Sequence, residues 1–243
     1  MSIFNKKGKK TTIQAVPVQT AESSTKVTRR IHNLIILDES GSMQSIYHPA
    51  LTGVNETLQT IRRAQNEHEG QTHFVTLVAF DSERYNQIYL NTPAAEVIDV
   101  TPEQYRPGGC TPLYDAMGRA INELRPNVAK DDVVLVTVIT DGYENASCEY
   151  NGKAIKSLVE AMKKEGWVFT YIGANQDVEA VAESMSIDNR LAFHADDDST
   201  RAMFKRECRS RGRFFDKLRN NMSLSDICSY DYFAEDDDEK DKK

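Results

Sequence analysis

The apolar positions of this chain alternate between two periods. Leu34, Ile35, Ile36 and Leu37 form an unbroken run that ends at Asp38. A second run, Val133, Val134, Leu135, Val136, Thr137, Val138 and Ile139, ends just before Thr140 and Asp141. Short unbroken runs of this kind predict strands covered on both faces. Residues 74–80 and 167–172 also read as strands, and residues 191–194 as a short last one. Residues 84–90 pair with 74–80 as a hairpin across Asp81, Ser82 and Glu83. Between the strands, Leu51, Val54, Leu58 and Ile61 recur at helical spacing, as do Leu113, Met117, Ala120, Ile121 and Leu124. Ile155, Leu158, Val159 and Met162 mark a third helix, and Val178, Val181, Ala182 and Met185 a fourth. Strands alternating with helices predict an α/β fold: a mostly parallel central sheet, one antiparallel edge strand, and helices on both faces.

Charge divides the chain further. Residues 1–30 carry seven Lys/Arg and one Glu without apolar periodicity, which predicts a flexible basic tail. Residues 201–219 carry eight Lys/Arg against two acids, within a final basic helix expected over 199–225. Residues 226–243 carry eight acids and three Lys, and read as an acidic disordered tail. The whole chain has a net charge of −7, so the body over 31–198 is strongly acidic and no uniformly basic nucleic-acid binder is encoded. No apolar run reaches the length of a bilayer span, and no apolar segment follows the basic start, so neither a membrane span nor a secretory signal is expected. The four cysteines form no CxxC pair, which disfavours a zinc ribbon and suits reduced thiols in a cytoplasmic protein.

In open α/β sheets, ligands sit beyond the carboxyl ends of the strands. Three loops should reach that edge: Asp38-Glu39-Ser40-Gly41-Ser42, Gly108-Gly109-Cys110-Thr111-Pro112, and Thr140-Asp141-Gly142-Tyr143-Glu144-Asn145. No GxGxxG or GxxxxGK[ST] accompanies them, which disfavours a dinucleotide or Walker-type site. The loops offer instead the hydroxyls of Ser40, Ser42 and Thr111 and the carboxylates of Asp38 and Asp141. Neutral oxygens combined with two charges are what a hard divalent cation takes. The Asp-x-Ser-x-Ser spacing suits a turn that points alternate side chains at one place.

The segment Asp38 to Met43 after an apolar strand resembles the metal-ion-dependent adhesion site of the von Willebrand factor type A domain. Thr111 between Cys110 and Pro112 resembles that site's second loop, and Asp141 between Thr140 and Gly142 its third. The three segments come in the family's order, across roughly residues 31–195. The resemblance implies a Rossmann-like fold whose Asp38, Ser40, Ser42, Thr111 and Asp141 hold Mg²⁺ or Mn²⁺. It also implies a protein partner that completes the coordination with an acidic side chain, in a multi-protein assembly such as an ATPase-containing complex. The Asp-Gly-x-Glu-Asn ending resembles intracellular bacterial and phage members.

Plainer readings stand beside these. Ser40, Ser42 and Thr111 are also good helix caps. Glu39 and Glu144 read as solvated loop carboxylates, with the rim of the site as the lesser reading. Asp115 reads as a surface acid at a helix start, with orienting a loop as the lesser one. His48 reads as a surface residue, with the metal rim as the lesser one. Cys110 and Cys148 should be neighbours, with a disulfide as the minor reading. Asp196, Asp197 and Asp198 suit an acidic helix start. The basic helix is expected to pack Phe204, Phe214 and Phe215 and solvate its charges, with contact to nucleic acid or an acidic partner as the lesser reading. A Mg²⁺-dependent hydrolase or phosphatase is the alternative function, although no His or Lys base is tied to the motif.

Overall fold

A computed structural model describes residues 28–219 and 222–234. Six strands form one sheet: β1 (Arg29–Asp38), β2 (Gln71–Phe80), β3 (Tyr85–Pro93), β4 (Val133–Thr140), β5 (Trp167–Ala174) and β6 (Asn189–Phe193). The spatial order is β3-β2-β1-β4-β5-β6. β1 runs parallel to both β2 and β4, and only β3 is antiparallel, paired to β2 across the expected hairpin. The strand order therefore reverses between β1 and β4, and the crevice at that switch point opens where Asp38 and Asp141 end their strands. Register puts Leu37 beside Ile139, which brings both strand ends to one level.

The helices are α1 (Tyr47–Glu67), α2 (Leu113–Leu124), α3 (Gly152–Lys164), α4 (Val178–Ser184), α5 (Asp197–Arg219) and α6 (Leu224–Cys228). Successive residues of a strand face opposite sides of the sheet, and the apolar run of β1 feeds two cores. Ile31, Ile35 and Leu37 pack with Val54, Leu58, Phe204 and Phe215 of α1 and α5. Leu34 and Ile36 pack with Met117, Ile121, Val159 and Met162 of α2 and α3. The helices α1 and α5 approach closely at Gly53, where a Cβ would stand 2.1 Å from the Phe204 ring.

The basic helix ends at Arg219, with the separate α6 after Ser223 in place of one helix to 225, and it differs from expectation in one further respect. Its three phenylalanines are buried as read from the spacing, but so is Arg211, with no exposure at all. Arg211 donates to Glu207 through Nε (2.8 Å), to Asn33 Oδ1 through Nη1 (2.8 Å) and to Thr137 Oγ1 through Nη2 (2.8 Å). It ties α5 to β1 and β4, and Glu207 takes further donors from Thr57 (3.2 Å) and Tyr232 (3.0 Å). Burying such a charge is tolerable only because every donor finds an acceptor.

The acidic stretch also differs over its first residues. Ile227, Tyr232 and Phe233 are buried against this core, so 226–234 are folded onto α5 rather than lying in a tail. Residues 1–27 and 235–243, where the remaining tail expectations fall, lie outside the described residues. Among the described residues no helix is long and apolar enough to cross a membrane.

Candidate metal centre

The three loops converge at the switch point. Asp38 is the last residue of β1 and is fully buried. Its Oδ1 accepts the Ser40 N–H at 2.7 Å, which folds the chain back over the strand end. Its Oδ2 accepts the Thr140 hydroxyl at 2.6 Å. Ser42, in the 3-10 turn Gly41–Ile46, donates from Oγ to Asp141 Oδ1 at 2.5 Å. That commits its proton, so the Ser40 hydroxyl 3.1 Å away is the donor of the next link. The hydroxyls of Ser42 and Thr111 lie 3.6 and 4.0 Å from the point where a Cβ on Gly142 would stand. Gly142 thus lies against both hydroxyls.

Backbone bonds hold the loops in this relation. Gly41 donates to Gly109 O (3.1 Å), Gly108 to Glu39 O (2.9 Å), and Asn145 to Thr111 O (3.1 Å). The Thr111 N–H is taken by Asn145 Oδ1 at 2.8 Å. The capping alternative is not what the hydroxyls do. Ser40 precedes the 3-10 turn without a side-chain capping bond, and α2 begins after Pro112, not Thr111.

Burial, more than mutual repulsion, makes both carboxylates costly to ionise. Burial pushes the Asp38 carboxyl up to about 6, against the hydrogen bonds from Thr140 and Ser40, and Asp141 adds repulsion. Burial raises Asp141 as well, countered by Ser42. Asp141 Oδ2 is buried and has no hydrogen-bond partner among the described residues. Asp141 thus brings an orphaned carboxylate oxygen to a crevice that the Ser42 and Thr111 hydroxyls line, a donor set that fits a hard divalent cation.

Several residues at the site do more than the sequence reading gave them. Glu39 was expected in solvent and is instead fully buried. Its Oε1 accepts the Arg106 N–H and the Arg84 guanidinium (3.1 Å), pinning the loop that carries Thr111, and burial raises its carboxyl. Glu144 is half-buried and accepts the N–H groups of Tyr114, Ala146 and Ser147, so it caps the start of α2. Asp115 accepts from the N–H groups of Cys148, Glu149 and Tyr150, and so organises the loop after Asp141 rather than lying free on the surface. Thr140, at the start of the third loop, holds Asp38 across the crevice, a pairing that spans 102 positions of sequence. Tyr105, fully buried, donates to the Asp38 carbonyl at 3.0 Å and stacks on Tyr47, a role no local pattern announces. Cys110 and Cys148 are exposed free thiols, and His48 is exposed. Asp196 and Asp197 do start α5, accepting from Ser199 and pairing with Arg201.

A three-layer α/β sheet with this crevice and oxygen-lined loops defines a Rossmann-like class of binding domain. The chain belongs to the von Willebrand factor type A domain family, whose family model matches residues 34–206. It is similar in fold to a D319A mutant of the PilB minor pilin from Streptococcus sanguinis, at 13% identity and a TM-score of 0.55, covering 81% of this chain and 64% of that one. It is similar to a von Willebrand factor type A protein from Catenulispora acidiphila, at 12% identity and a TM-score of 0.52, covering 76% of this chain and 43% of that one. The vWF domain of the type V pili tip protein Mfa5 from Porphyromonas gingivalis also matches, at 11% identity and a TM-score of 0.54, covering 77% of this chain and 96% of that one. The chain thus spans less than two thirds of the first two. At these identities the likeness shows the fold. No curated protein matches the chain in sequence.

Proposed function

We propose that this chain is a metal-dependent protein-interaction module, in which Mg²⁺ or Mn²⁺ at the crevice is completed by an acidic side chain of a partner protein. The observation that carries the reading is Asp141 Oδ2, a buried carboxylate oxygen without a partner among the described residues, in the crevice where the three loops are bonded together. Ser40, Ser42 and Thr111 would supply neutral oxygens, and Asp38 and Asp141 the balancing charge. A bound divalent cation supplies electrophilic attraction for a carboxylate. The chain's own residues shape that attraction. Each Asp38 oxygen already accepts a hydrogen bond, from Ser40 or Thr140, so its charge would act from behind the hydroxyls instead of displacing a partner's oxygen. The exposed Tyr143 stands beside the crevice, where a partner side chain would pass over it.

A binding role is favoured over hydrolysis because both oxygens of Asp38, the strand-end candidate nucleophile, are engaged by Ser40 and Thr140 and the residue is fully buried. We place the protein in the cytoplasm, on the free thiols of Cys110, Cys148 and Cys208, and in the intracellular branch of the family, on its Asp-Gly-x-Glu-Asn loop. The test is capture of proteins from a native lysate with wild type and Asp141→Ala, in Mg²⁺ and in EDTA. A partner retained only by wild type in Mg²⁺, and released when one of its own carboxylates is changed to an amide, is the expected result. Retention that ignores both chelator and Asp141 would sink the reading.

A further inference from the structure

A cavity of about 420 Å³ lies beside Trp167, the first residue of β5. It is at the end of the sheet opposite the metal crevice. β4 and β5 run parallel, and the eight residues of either strand set the two places roughly 25 Å apart. The walls come from two helix ends. Arg125 opens the 3-10 turn that closes α2, and Val128, Ala129 and Lys130 lead from it into β4. Lys164 and Glu165 end α3 on the other side.

The shape is built into the chain. The Asp132 N–H donates to the Ala129 carbonyl at 3.1 Å, and Asp132 Oδ2 takes the Ala129 N–H at 2.8 Å, a closed turn that fixes the wall before β4. Trp167 is 1% exposed and stacks on Phe169 with 6.4 Å between ring centroids.

The lining has one chemical bias. Val128, Ala129 and Trp167 supply apolar surface. Arg125 and Glu165 pair at 2.6 Å and cancel. Lys130 and Lys164 then remain, and neither pairs with an acid among the described residues. Asp131 and Asp132 follow Lys130 in sequence but do not line the cavity, and Asp132 is engaged by Arg30 and His32. The lysines are not taken up in capping the helix ends either. The Met162 and Lys163 carbonyls accept from Glu165 and Gly166, and the Arg125 carbonyl accepts from Val128. The Trp167 side chain makes no hydrogen bond to another described residue, which leaves its indole N–H as a further donor. Donors and ammonium groups set around apolar surface suit an anion with an apolar body.

We propose that this cavity binds a small organic acid, a cyclic carboxylate whose ring lies against Trp167 and Val128 and whose charge meets Lys130 and Lys164. Its volume is that of small-molecule sites, roughly 300–1,000 Å³. Exposed ion pairs are weak one at a time, so neither the ring nor the charge suffices alone, and the site selects molecules that carry both.

Trp167 is the only tryptophan in the chain, so its fluorescence reports on this cavity. The test is titration of the full chain with cyclohexanecarboxylate at pH 7.5 in EDTA, followed by that fluorescence and by calorimetry. The expected result is one saturable site per chain. Binding should be at least fivefold weaker for the neutral cyclohexanecarboxamide and for acetate, which lacks the ring. It should also be at least fivefold weaker in Lys130→Gln/Lys164→Gln, both exposed positions, and unchanged in Asp141→Ala. The proposal is overturned if the acid does not saturate, or if wild type binds the amide or acetate as tightly as the acid. It is equally overturned if the double variant binds as wild type does, or if Asp141→Ala abolishes binding, which would place the acid at the metal crevice. A peptide ending in leucine that binds more tightly than the free acid would also overturn it, assigning the cavity to the C-terminus of a protein.

Discussion

Asp38→Asn tests how the site balances stability against metal binding. Asp38 is buried with 0% exposure, and burial raises its carboxyl from 3.8 to about 6 despite two hydrogen bonds. An acid whose folded value is raised destabilises the fold once it is ionised, so the cost grows as pH rises from about 4 to 6 and is complete above that. At about 1.4 kcal/mol per pH unit, the metal-free protein carries a penalty of about 3 kcal/mol at pH 7.5. Asparagine keeps an acceptor for the Ser40 N–H, and its amide can donate to Thr140 Oγ1, whose own proton can turn to the Gly142 carbonyl 3.2 Å away. In EDTA at pH 7.5 the variant should therefore be more stable than wild type by about 2–3 kcal/mol, and the gap should close by pH 4. Saturating Mg²⁺ reverses the order. Wild type gains about 2.7 kcal/mol at a hundredfold excess over Kd, whereas the variant, lacking a charge, gains far less. Urea unfolding at both pH values, with and without Mg²⁺, measures each term. A variant less stable than wild type in EDTA at pH 7.5 would refute the reasoning, because the bonds to Asp38 would then outweigh its burial.

Three other outcomes follow from the same geometry. Arg211→Met strands Glu207 as a buried anion and should cost about 3–5 kcal/mol in denaturant unfolding, with Arg211→Met/Glu207→Leu recovering part of it. His73 is held neutral in the fold, lowered to about 3 by burial together with His68 and Arg211. The unfolded chain takes up its proton below about 6.5, so stability drops as pH falls, by about 2 kcal/mol at pH 5; His73→Phe should flatten that slope when both proteins are compared in Mg²⁺. Glu39→Ala releases the Arg106 and Arg84 contacts behind Thr111 and should weaken Mg²⁺ affinity about tenfold, measured by calorimetry, while Glu39→Gln keeps the acceptor and stays close to wild type.

The architecture was legible because its signals are local. Unbroken apolar runs ending in Asp38 and Thr140 mark parallel strands, and the hairpin after Phe80 marks the antiparallel edge. The five oxygen-bearing residues were legible on three loops. Asp38 and Asp141 come together because they stand at the ends of β1 and β4, parallel neighbours in the sheet, whereas Thr111 arrives from the loop before α2. What escaped was decided by burial across long sequence separations. Glu39 and Arg211 look like surface charges, and nothing near them in sequence says that Arg106 or Asn33 will meet them. Tyr105 reaches the Asp38 carbonyl from 67 positions away. Tyr232 and Phe233 were read as part of a charged tail because the acids around them outweighed two aromatic residues, yet those two rings pack into the core below α5. Glu144 escapes for a related reason: a loop carboxylate looks solvated in the sequence until the N–H groups it caps are seen.

The central claim is that the crevice between β1 and β4 holds a divalent cation through residues from all three loops. Calorimetric titration of Mg²⁺ and Mn²⁺ into the purified chain at pH 7.5, beside Asp141→Ala and Thr111→Ala, tests it most directly. The account predicts one site per chain in wild type, lost in Asp141→Ala and weakened in Thr111→Ala, with all three proteins folded by circular dichroism. A wild type that takes up no cation, or an Asp141→Ala variant that binds as tightly as wild type, would contradict it.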